Sequence, residues 1–85
     1  MIRIYTSTTC VHCKRLKSGL TNNDIEFIDV DVHLKENKSE VEEVFKMTGD
    51  EMIPIIMVKP HILAPNKSFK TIEDAIKLII NLIKK

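Results

Sequence analysis

The chain has 85 residues, of which 44% are hydrophobic and 29% are charged, and its formal net charge is +1. This length suits one small domain, so residues 1–85 are expected to form a single domain with one fold. The apolar content excludes a disordered chain, and the near-zero charge gives no electrostatic case for nucleic acid or an acidic membrane as the main partner.

Neither a membrane segment nor a signal peptide is expected. The longest apolar runs, residues 53–58 and 78–80, are far shorter than the ~20 residues that span a bilayer. The N-terminus begins a strand-like alternation at once, which leaves no space for the regions of a signal peptide. We therefore expect a cytoplasmic protein without a membrane partner. In that reducing compartment two cysteines are more often free, catalytic or metal-bound than joined in a permanent disulfide.

The first third of the chain predicts a strand, a helix and a second strand. Residues 2–5 alternate as a short strand, and the hydroxyl-rich loop Thr6–Thr9 is able to cap the helix that follows. That helix begins at the cysteines and runs to about Thr21, where Asn22-Asn23-Asp24 ends it. β-Branched and aromatic residues predict a second strand over Ile25–Val30. A strand, a crossover helix and a strand imply a parallel pair with a right-handed connection.

The middle of the chain predicts a second helix and two further strands. Asn37, with Glu40 three residues later, is a capping-box pattern that opens the helix. Gly49 ends this helix, because glycine suits a left-handed C-cap. The near-continuous apolar run at residues 54–58 is typical of a strand covered on both faces, and residues 61–64 favour a short fourth strand.

The last helix is predicted to begin at Thr71 and to reach Lys84. Thr71 and Asp74 make a capping-box-like start, and apolar residues recur at helical spacing after it. The core-facing positions of this helix are Ile72, Ala75, Ile76, Ile79, Ile80 and Ile83. The other apolar positions expected in the core are Ile28, Val30, Phe45, Ile56 and Val58. The element order is therefore βαβ followed by αββα, which is an α/β fold.

Both cysteines lie where the first strand meets the first helix, in Cys10-Val11-His12-Cys13. This spacing beside a βαβ pattern is typical of a thioredoxin-like redox motif. Only a thiolate attacks a disulfide, and the positive end of a helix dipole, with its unpaired N–H groups, favours that ionised form. Cys10, on the exposed first turn, is therefore the candidate nucleophile. Cys13, one turn deeper on the same face, is the candidate resolving thiol.

His12 lies between the cysteines and has two interpretations. Its imidazolium or its N–H group favours the Cys10 thiolate, or it is only a solvated helix residue. Lys14 and Lys17 add positive potential near the motif, although a solvated helix face explains Lys14 and Arg15 equally well.

A zinc site is the alternative from a different class of function. The CxxC pair supplies two of four tetrahedral ligands, and the histidines of the chain are His12, His33 and His61. The sequence has no second close pair of ligands, and His12 is adjacent to Cys13, so no metal site is expected. An interaction domain that keeps the CxxC pair without redox turnover is a further alternative, which the absence of disulfide reductase activity would favour.

These features together resemble one family. Lys17 follows Cys13 by four residues, and Met52-Ile53-Pro54 opens the third predicted strand. With the CxxC motif, these residues resemble the glutaredoxins and the small glutaredoxin-like redoxins. The resemblance extends from Ile2 to the last helix. It implies a thioredoxin-like α/β fold of glutaredoxin size, with a central four-stranded mixed sheet flanked by three helices.

The resemblance also implies a chemistry. Glutaredoxins are thiol–disulfide oxidoreductases that reduce disulfides or glutathione mixed disulfides. We expect a monomer with no tightly bound cofactor, and glutathione is a candidate reductant. It further implies that the Ile53-Pro54 peptide bond is cis and faces the CxxC pair, so that the backbone of Ile53 hydrogen-bonds an extended thiol substrate. The residues expected to contact the substrate or glutathione are Val11, Lys17, Ile53, Pro54 and Thr71.

The sequence departs from the family where glutathione binds. Glutaredoxins commonly carry a Lys before the first cysteine, a Gln or Arg ahead of the Pro motif, and a Gly-Gly pair before the last helix. Here these places hold Ser7, Asp50-Glu51 and the turn Pro65–Ser68, and the two acids repel an anionic tripeptide. Lys67 and Lys70, with Ser68 and the helix N-terminus at Thr71, offer a substitute anion site. The alternative is a redoxin reduced by a protein reductase, serving an enzyme such as ribonucleotide reductase.

Overall fold

The structure is a computed structural model that describes residues 2–84. Its strands are β1 (Ile2–Thr6), β2 (Phe27–Asp31), β3 (Ile55–Val58) and β4 (His61–Leu63). Its helices are α1 (Val11–Asn22), α2 (Lys38–Thr48) and α3 (Ile72–Ile83), with a single 3₁₀ turn at Lys35–Asn37 before α2. The predicted order βαβ followed by αββα is confirmed, and the 3₁₀ turn was not predicted. No helix within residues 2–84 is long and apolar enough to cross a membrane.

The four strands form one mixed sheet in the order β2-β1-β3-β4. Strand β1 pairs in parallel with β2, with Ile2 opposite Phe27, which confirms the predicted parallel pair. Strand β3 runs antiparallel to both β1 and β4. Because β1 is central, its alternating side chains reach both faces of the sheet, and the chain that leaves its end leads directly to the cysteines.

Two apolar clusters lie on opposite faces of the sheet, as side chains that alternate along the strands require. The first lies under α1 and α3 and contains Ile4, Leu16, Leu20, Ile56 and Ile79 among its fully buried members. The second lies under α2 and contains Tyr5, Val30, Val41, Val44 and Ile55. Three helices thus flank the sheet, two on one face and one on the other. Helix α1 is held against the sheet by buried residues in its middle and C-terminal turns, and its N-terminus lies at the surface.

Helices α1 and α3 approach closely at Gly19. A Cβ atom at Gly19 would overlap Cδ1 of Ile76, so any side chain there displaces the Ile76 side chain. One turn earlier in α1, Arg15 Nη2 donates to Glu73 Oε1 of α3 at 2.8 Å. The successive contacts show that the two helices run in the same direction, so that their N-termini lie at the same end of the molecule.

Two predicted helix termini are confirmed. Gly49 has a φ of 74° after α2 and donates its N–H to the Phe45 carbonyl, as the left-handed C-cap requires. Thr71 caps α3, because its hydroxyl accepts the N–H of Asp74 at 3.1 Å.

The predicted capping box of α2 is wrong. Asn37 does precede the helix, but its side chain makes no capping hydrogen bond; instead its amide donates to the Asp31 carbonyl at 2.9 Å. Glu40 does not reach back to the start of the helix either. Its carboxylate is bound by Arg3 and Tyr5 of β1, which have stronger donors than a helix N–H group.

The Arg3–Tyr5–Glu40 cluster joins the central strand to α2. Arg3 donates to both Glu40 oxygens at 2.8 and 2.9 Å, and the Tyr5 hydroxyl donates at 2.7 Å. Hydrogen bonds from Arg3 and then Tyr5 hold the pKa of Glu40 below its ordinary value. Burial raises the pKa of Tyr5, so this hydroxyl stays protonated and keeps donating. The cluster therefore fastens α2 to the sheet at neutral pH.

Glu40→Gln is expected to lower the free energy of unfolding by about 1 kcal/mol at pH 7, a charge-assisted contribution reduced by solvent screening. Because folding lowers the pKa of Glu40, this contribution is complete above the unfolded pKa of ~4.3 and is lost as pH falls through the folded value. Urea unfolding at pH 7 and at pH 3 measures the difference. Glu42→Gln, exposed on the same helix, is the control. An equal loss at both pH values would contradict the role of the Glu40 charge.

The predicted core is confirmed at Val30 and Ile56, which are buried. Phe45, Val58 and Ile76 pack against the two clusters while remaining partly exposed, and Ile80 is half-buried. Two core predictions are wrong, because Ile28 and Ile83 are exposed. Ile28 belongs to the edge strand β2, where α2 covers Val30 but not Ile28. Ile83 is the last residue of α3 and lies past the end of the cluster.

Candidate active site

Cys10 is the N-cap residue of α1. Its Sγ accepts the backbone N–H of Cys13 at 3.2 Å, and its own N–H donates to the Ser7 carbonyl at 3.2 Å. A sulfur in this position replaces the Ser or Asp oxygen that usually satisfies a free N–H group at a helix start. The sulfur therefore lies at the positive end of the helix dipole, in contact with a backbone N–H group. The predicted capping by the Thr6–Thr9 loop is therefore wrong, since Cys10 itself is the cap.

The loop before Cys10 has a different structural role. Ser7 is buried, its hydroxyl lies 3.0 Å from the Thr9 hydroxyl, and it accepts the Thr9 N–H at 3.3 Å. These contacts close a small turn between β1 and α1. The turn fixes how Cys10 enters the helix.

The two cysteines differ in their access to solvent. Both are free thiols; Cys10 is partly exposed, whereas Cys13 has an exposed fraction of 0%. Burial, and then contact with Cys10, raises the pKa of Cys13 to about 12. Cys13 is therefore a protonated thiol at neutral pH. Of the two sulfurs, Cys10 is the one that a substrate can reach.

A groove of about 450 Å³ runs beside the motif, between the start of α1, the turn before β3 and the start of α3. Of the residues predicted from the sequence, His12, Ile53, Pro54 and Thr71 line this groove. The Ile53-Pro54 peptide bond is cis, as the resemblance implied. The Lys59-Pro60 bond in the turn between β3 and β4 is cis as well.

Several groove residues were missed by the sequence reasoning. They are Arg15, Met52, Phe69, Ile72 and Glu73. Pro65, Asn66 and Lys70 also line the groove, and the sequence had indicated them as part of the turn and the substitute anion site before the last helix. The signal for Met52 was present, since it precedes the Ile-Pro pair, but Arg15 and Glu73 meet only because α1 and α3 pack side by side. Arg15 is thereby neutralised, and the first turn of α3 carries two acids, Glu73 and Asp74.

The other predicted site residues, Cys10, Val11, Cys13 and Lys17, are not among the residues that line the groove. Val11 follows Cys10 and is 67% exposed, so its side chain faces solvent at the start of α1. Lys17 lies farther along α1, where its ammonium group donates to Asp29 of β2 at 3.0 Å. The substrate contact predicted for Lys17 therefore has no support from its position.

The histidines named for the zinc alternative are not brought together. His33 is exposed in the turn after β2, and His61 is exposed at the start of β4. Within residues 2–84, no group of three or more His, Cys, Asp or Glu side chains is arranged to hold a metal ion. The geometry gives the zinc interpretation no support.

Comparison with known proteins decides the family. The model of the family described as Glutaredoxin matches residues 2–62, from β1 through the CxxC motif and the cis proline into β4. The chain belongs to the glutaredoxin family. A curated relative of this glutaredoxin, an uncharacterized glutaredoxin-like 8.6 kDa protein in the rubredoxin operon of Clostridium pasteurianum, is 33% identical over 63 residues, covering 74% of the chain and 81% of the relative.

Solved structures show that this glutaredoxin has the expected fold. The glutaredoxin-like NrdH-redoxin of Escherichia coli is 22% identical with a TM-score of 0.67, covering 92% of each chain. A glutaredoxin from Archaeoglobus fulgidus is 20% identical with a TM-score of 0.71, covering 99% of this chain and 86% of its own. Holo glutaredoxin C1 from Populus tremula x tremuloides is 15% identical, with a TM-score of 0.73 and coverage of 98% and 82%. The thioredoxin-like fold, a four-stranded mixed sheet flanked by three helices, is confirmed.

Proposed function

We propose that this glutaredoxin-family protein is a dithiol thiol–disulfide oxidoreductase in which Cys10 attacks and Cys13 resolves. The observation that carries the proposal is the unequal placement of the two sulfurs. Cys10 is partly exposed at the N-terminus of α1 and accepts the N–H of Cys13, whereas the Cys13 thiol is fully buried one turn deeper. In such a pair the exposed Cys10 sulfur attacks the substrate first, and the buried Cys13 sulfur then attacks Cys10.

The reaction proceeds in two exchanges. The Cys10 thiolate attacks one sulfur of the substrate disulfide, forms a mixed disulfide, and expels the other substrate sulfur as a thiolate that takes up a proton. Cys13 then loses its proton and attacks Cys10 Sγ. The Cys10–Cys13 bond forms, the bond to the substrate breaks, and the second substrate thiol leaves. Two electrons pass from the dithiol to the substrate, and a donor must later return them.

The groove supplies positioning for this chemistry. His12 lies on its wall, two residues after Cys10, and an imidazolium or N–H group there would favour the thiolate. Ile53 and Pro54 form the facing wall, where the Ile53 backbone accepts or donates hydrogen bonds to an extended substrate. Val11, exposed beside the sulfur, adds an apolar contact. The protein acts as a cytoplasmic monomer in this proposal, without a bound cofactor.

The electron donor is either glutathione or a protein reductase, and one observation favours the reductase. Glutathione is anionic, and the site that would bind its carboxylate, the N-terminus of α3, already carries Glu73 and Asp74. Arg15 is paired with Glu73, so among the lysines and arginines of the groove wall only Lys70 opposes these acids. The glutaredoxin-like NrdH-redoxin of Escherichia coli has a thioredoxin-like activity profile, which is the kind of donor preference proposed here.

Two coupled assays test the donor. One follows reduction of a glutathione mixed disulfide with glutathione and its reductase; the other follows reduction of a protein disulfide with NADPH and thioredoxin reductase. We expect the second to be faster by at least tenfold in specificity constant, about 1.4 kcal/mol of discrimination. Glu73→Gln is expected to raise the rate with glutathione, because the substitution removes one of the two negative charges that repel the glutathione carboxylate. A faster glutathione reaction in the wild type would contradict this choice of donor.

An interaction domain without redox turnover is the function from another class. It predicts no reduction in either assay while the protein stays folded. Loss of thiol reactivity on titration with zinc would instead favour a metal site. Either result would overturn the proposed oxidoreductase.

A further inference from the structure

Three polar side chains form a connected group behind the cysteine pair. Lys17 of α1 donates to Asp29 Oδ2 at 3.0 Å, and the Thr6 hydroxyl, at the end of β1, donates to Asp29 Oδ1. Each oxygen of the carboxylate thus has its own donor. Thr6 is only 1% exposed, so this end of the group lies inside the protein. The group is named here the Lys17 tether.

The Lys17 tether begins one helical turn after the resolving cysteine. Lys17 follows Cys13 by four residues in α1, and side chains at this spacing are neighbours on one helix face. Cys13 is fully buried, so water solvates a thiolate there only poorly. Burial and then contact with Cys10 raise the pKa of Cys13, whereas a hydrogen bond with the Ser7 backbone and, to a smaller extent, the Lys17 ammonium lower it. The titratable groups that act on this sulfur are therefore Cys10, Lys17 and, through Lys17, Asp29.

We infer that Lys17, held by Asp29 and Thr6, is a positioning residue that favours ionisation of Cys13 in the second exchange. This inference rests on the proposed function. In that exchange the Cys13 proton passes to solvent, the Cys13 sulfur forms a bond to Cys10, and the substrate sulfur leaves as a thiolate. Lys17 neither gives nor receives electrons. Its charge stabilises the transient anion on Cys13.

The tether explains why a lysine is effective here. A free lysine ammonium is strongly hydrated and mobile, and it turns toward water rather than toward a buried sulfur. Asp29 restrains the ammonium on the sheet side of α1, and Thr6 restrains Asp29. The restraint has a cost, because the Asp29 charge offsets part of the Lys17 potential. Removal of the Lys17 charge is therefore expected to slow the resolving step, whereas removal of the Asp29 charge is expected to speed it.

A chromogenic aryl disulfide separates the two exchanges in a stopped-flow experiment. Attack by Cys10 releases a first coloured thiolate, and attack by Cys13 releases a second. A nearby positive charge raises the ionised fraction of a thiol about tenfold. Because the resulting thiolate is also less nucleophilic, the rate of attack rises only about threefold. Lys17→Met is therefore expected to slow the second release about threefold at pH 7 and to move its pH profile to higher pH. The first release is expected to keep its wild-type rate.

Three variants distinguish electrostatics from simple structural damage. Lys17→Arg keeps the charge and is expected to restore the second release. Lys46→Met removes an equal charge from an exposed site on α2, away from the motif, and is expected to change neither release. Asp29→Asn keeps an acceptor for Lys17 but removes the opposing charge, so the second release is expected to become faster. Damage to the fold would slow the second release in both Lys17→Met and Asp29→Asn.

The failures of the two proposals are distinguishable. If the wild type releases no coloured thiolate, the proposed oxidoreductase is wrong. If the wild type shows both releases but Lys17→Met leaves the second unchanged, or slows both equally, the role of the Lys17 tether is wrong.

Discussion

Cys10→Ser is expected to reduce disulfide turnover to the uncatalysed background. Cys10 is the sulfur that solvent reaches, and a serine hydroxyl at the same helix N-terminus is not ionised near neutral pH and does not attack a disulfide. Cys13 does not substitute for it, because its thiol is buried and its pKa is about 12. Initial rates with a protein disulfide, together with alkylation rates of the remaining thiol, measure this result.

Cys13→Ser is expected to behave differently. The first exchange remains, since Cys10 keeps its exposure and its backbone N–H donor, but the second cannot occur. The mixed disulfide should therefore accumulate in stoichiometric amount, and intact-protein mass spectrometry should show the added mass of one substrate thiol. Ser18→Ala, which removes an exposed hydroxyl from the same helix, is the control and should turn over as the wild type does. Equal residual turnover in Cys10→Ser and Cys13→Ser would contradict the assigned roles.

Leu20→Ala is expected to be the most destabilising of these substitutions. Leu20 has an exposed fraction of 0% and lies in the cluster that joins α1 and α3 to the sheet. Truncation of such a side chain leaves a cavity and costs ~2–5 kcal/mol. In a chain of this size, this corresponds to a fall in Tm of roughly 10–25 °C. Thermal unfolding followed by circular dichroism measures it.

Leu34→Ala is the matched control for this prediction. Leu34 is the same residue type but is 46% exposed in the turn before α2, so its truncation should cost under about 1 kcal/mol. Similar losses in the two variants would show that the α1–α3 cluster is not the main apolar core. Because α1 carries the cysteines, Leu20→Ala should also raise the alkylation rate of the buried Cys13 thiol.

Sequence patterns were sufficient where local chemistry determines structure. Gly49 ends α2 in the left-handed region because no other nearby residue adopts it so easily, and Thr71 caps α3 because its hydroxyl reaches the next turn. The order of strands and helices follows from periodicity in the same way. The CxxC position at the start of α1 followed from the predicted strand before it.

Predictions from local sequence were wrong where segments distant in the chain come into contact. Glu40 has the spacing of a capping residue, yet Arg3, 37 residues earlier, takes its carboxylate. Lys17 matches a family position expected to contact substrate, yet Asp29 of the neighbouring strand restrains it on another face. Helical spacing gives a residue's face but not the partner that a second element brings to that face.

The sequence also gave a wrong prediction of burial at the edge of the sheet. Ile28 has the composition of a core position, and strand periodicity places it on the same face as Val30. The two residues differ because α2 packs over Val30 but does not cover Ile28 on this edge strand. Such information requires the tertiary arrangement, which no local window of sequence contains.

The close approach of α1 and α3 at Gly19 has a consequence for the groove. Both helices form part of its wall near their N-termini, α1 through His12 and Arg15 and α3 through Thr71, Ile72 and Glu73. A side chain at Gly19 would have to displace Ile76 of α3. Gly19 therefore acts as a spacer between the two helices that form the groove, although it does not line the groove itself.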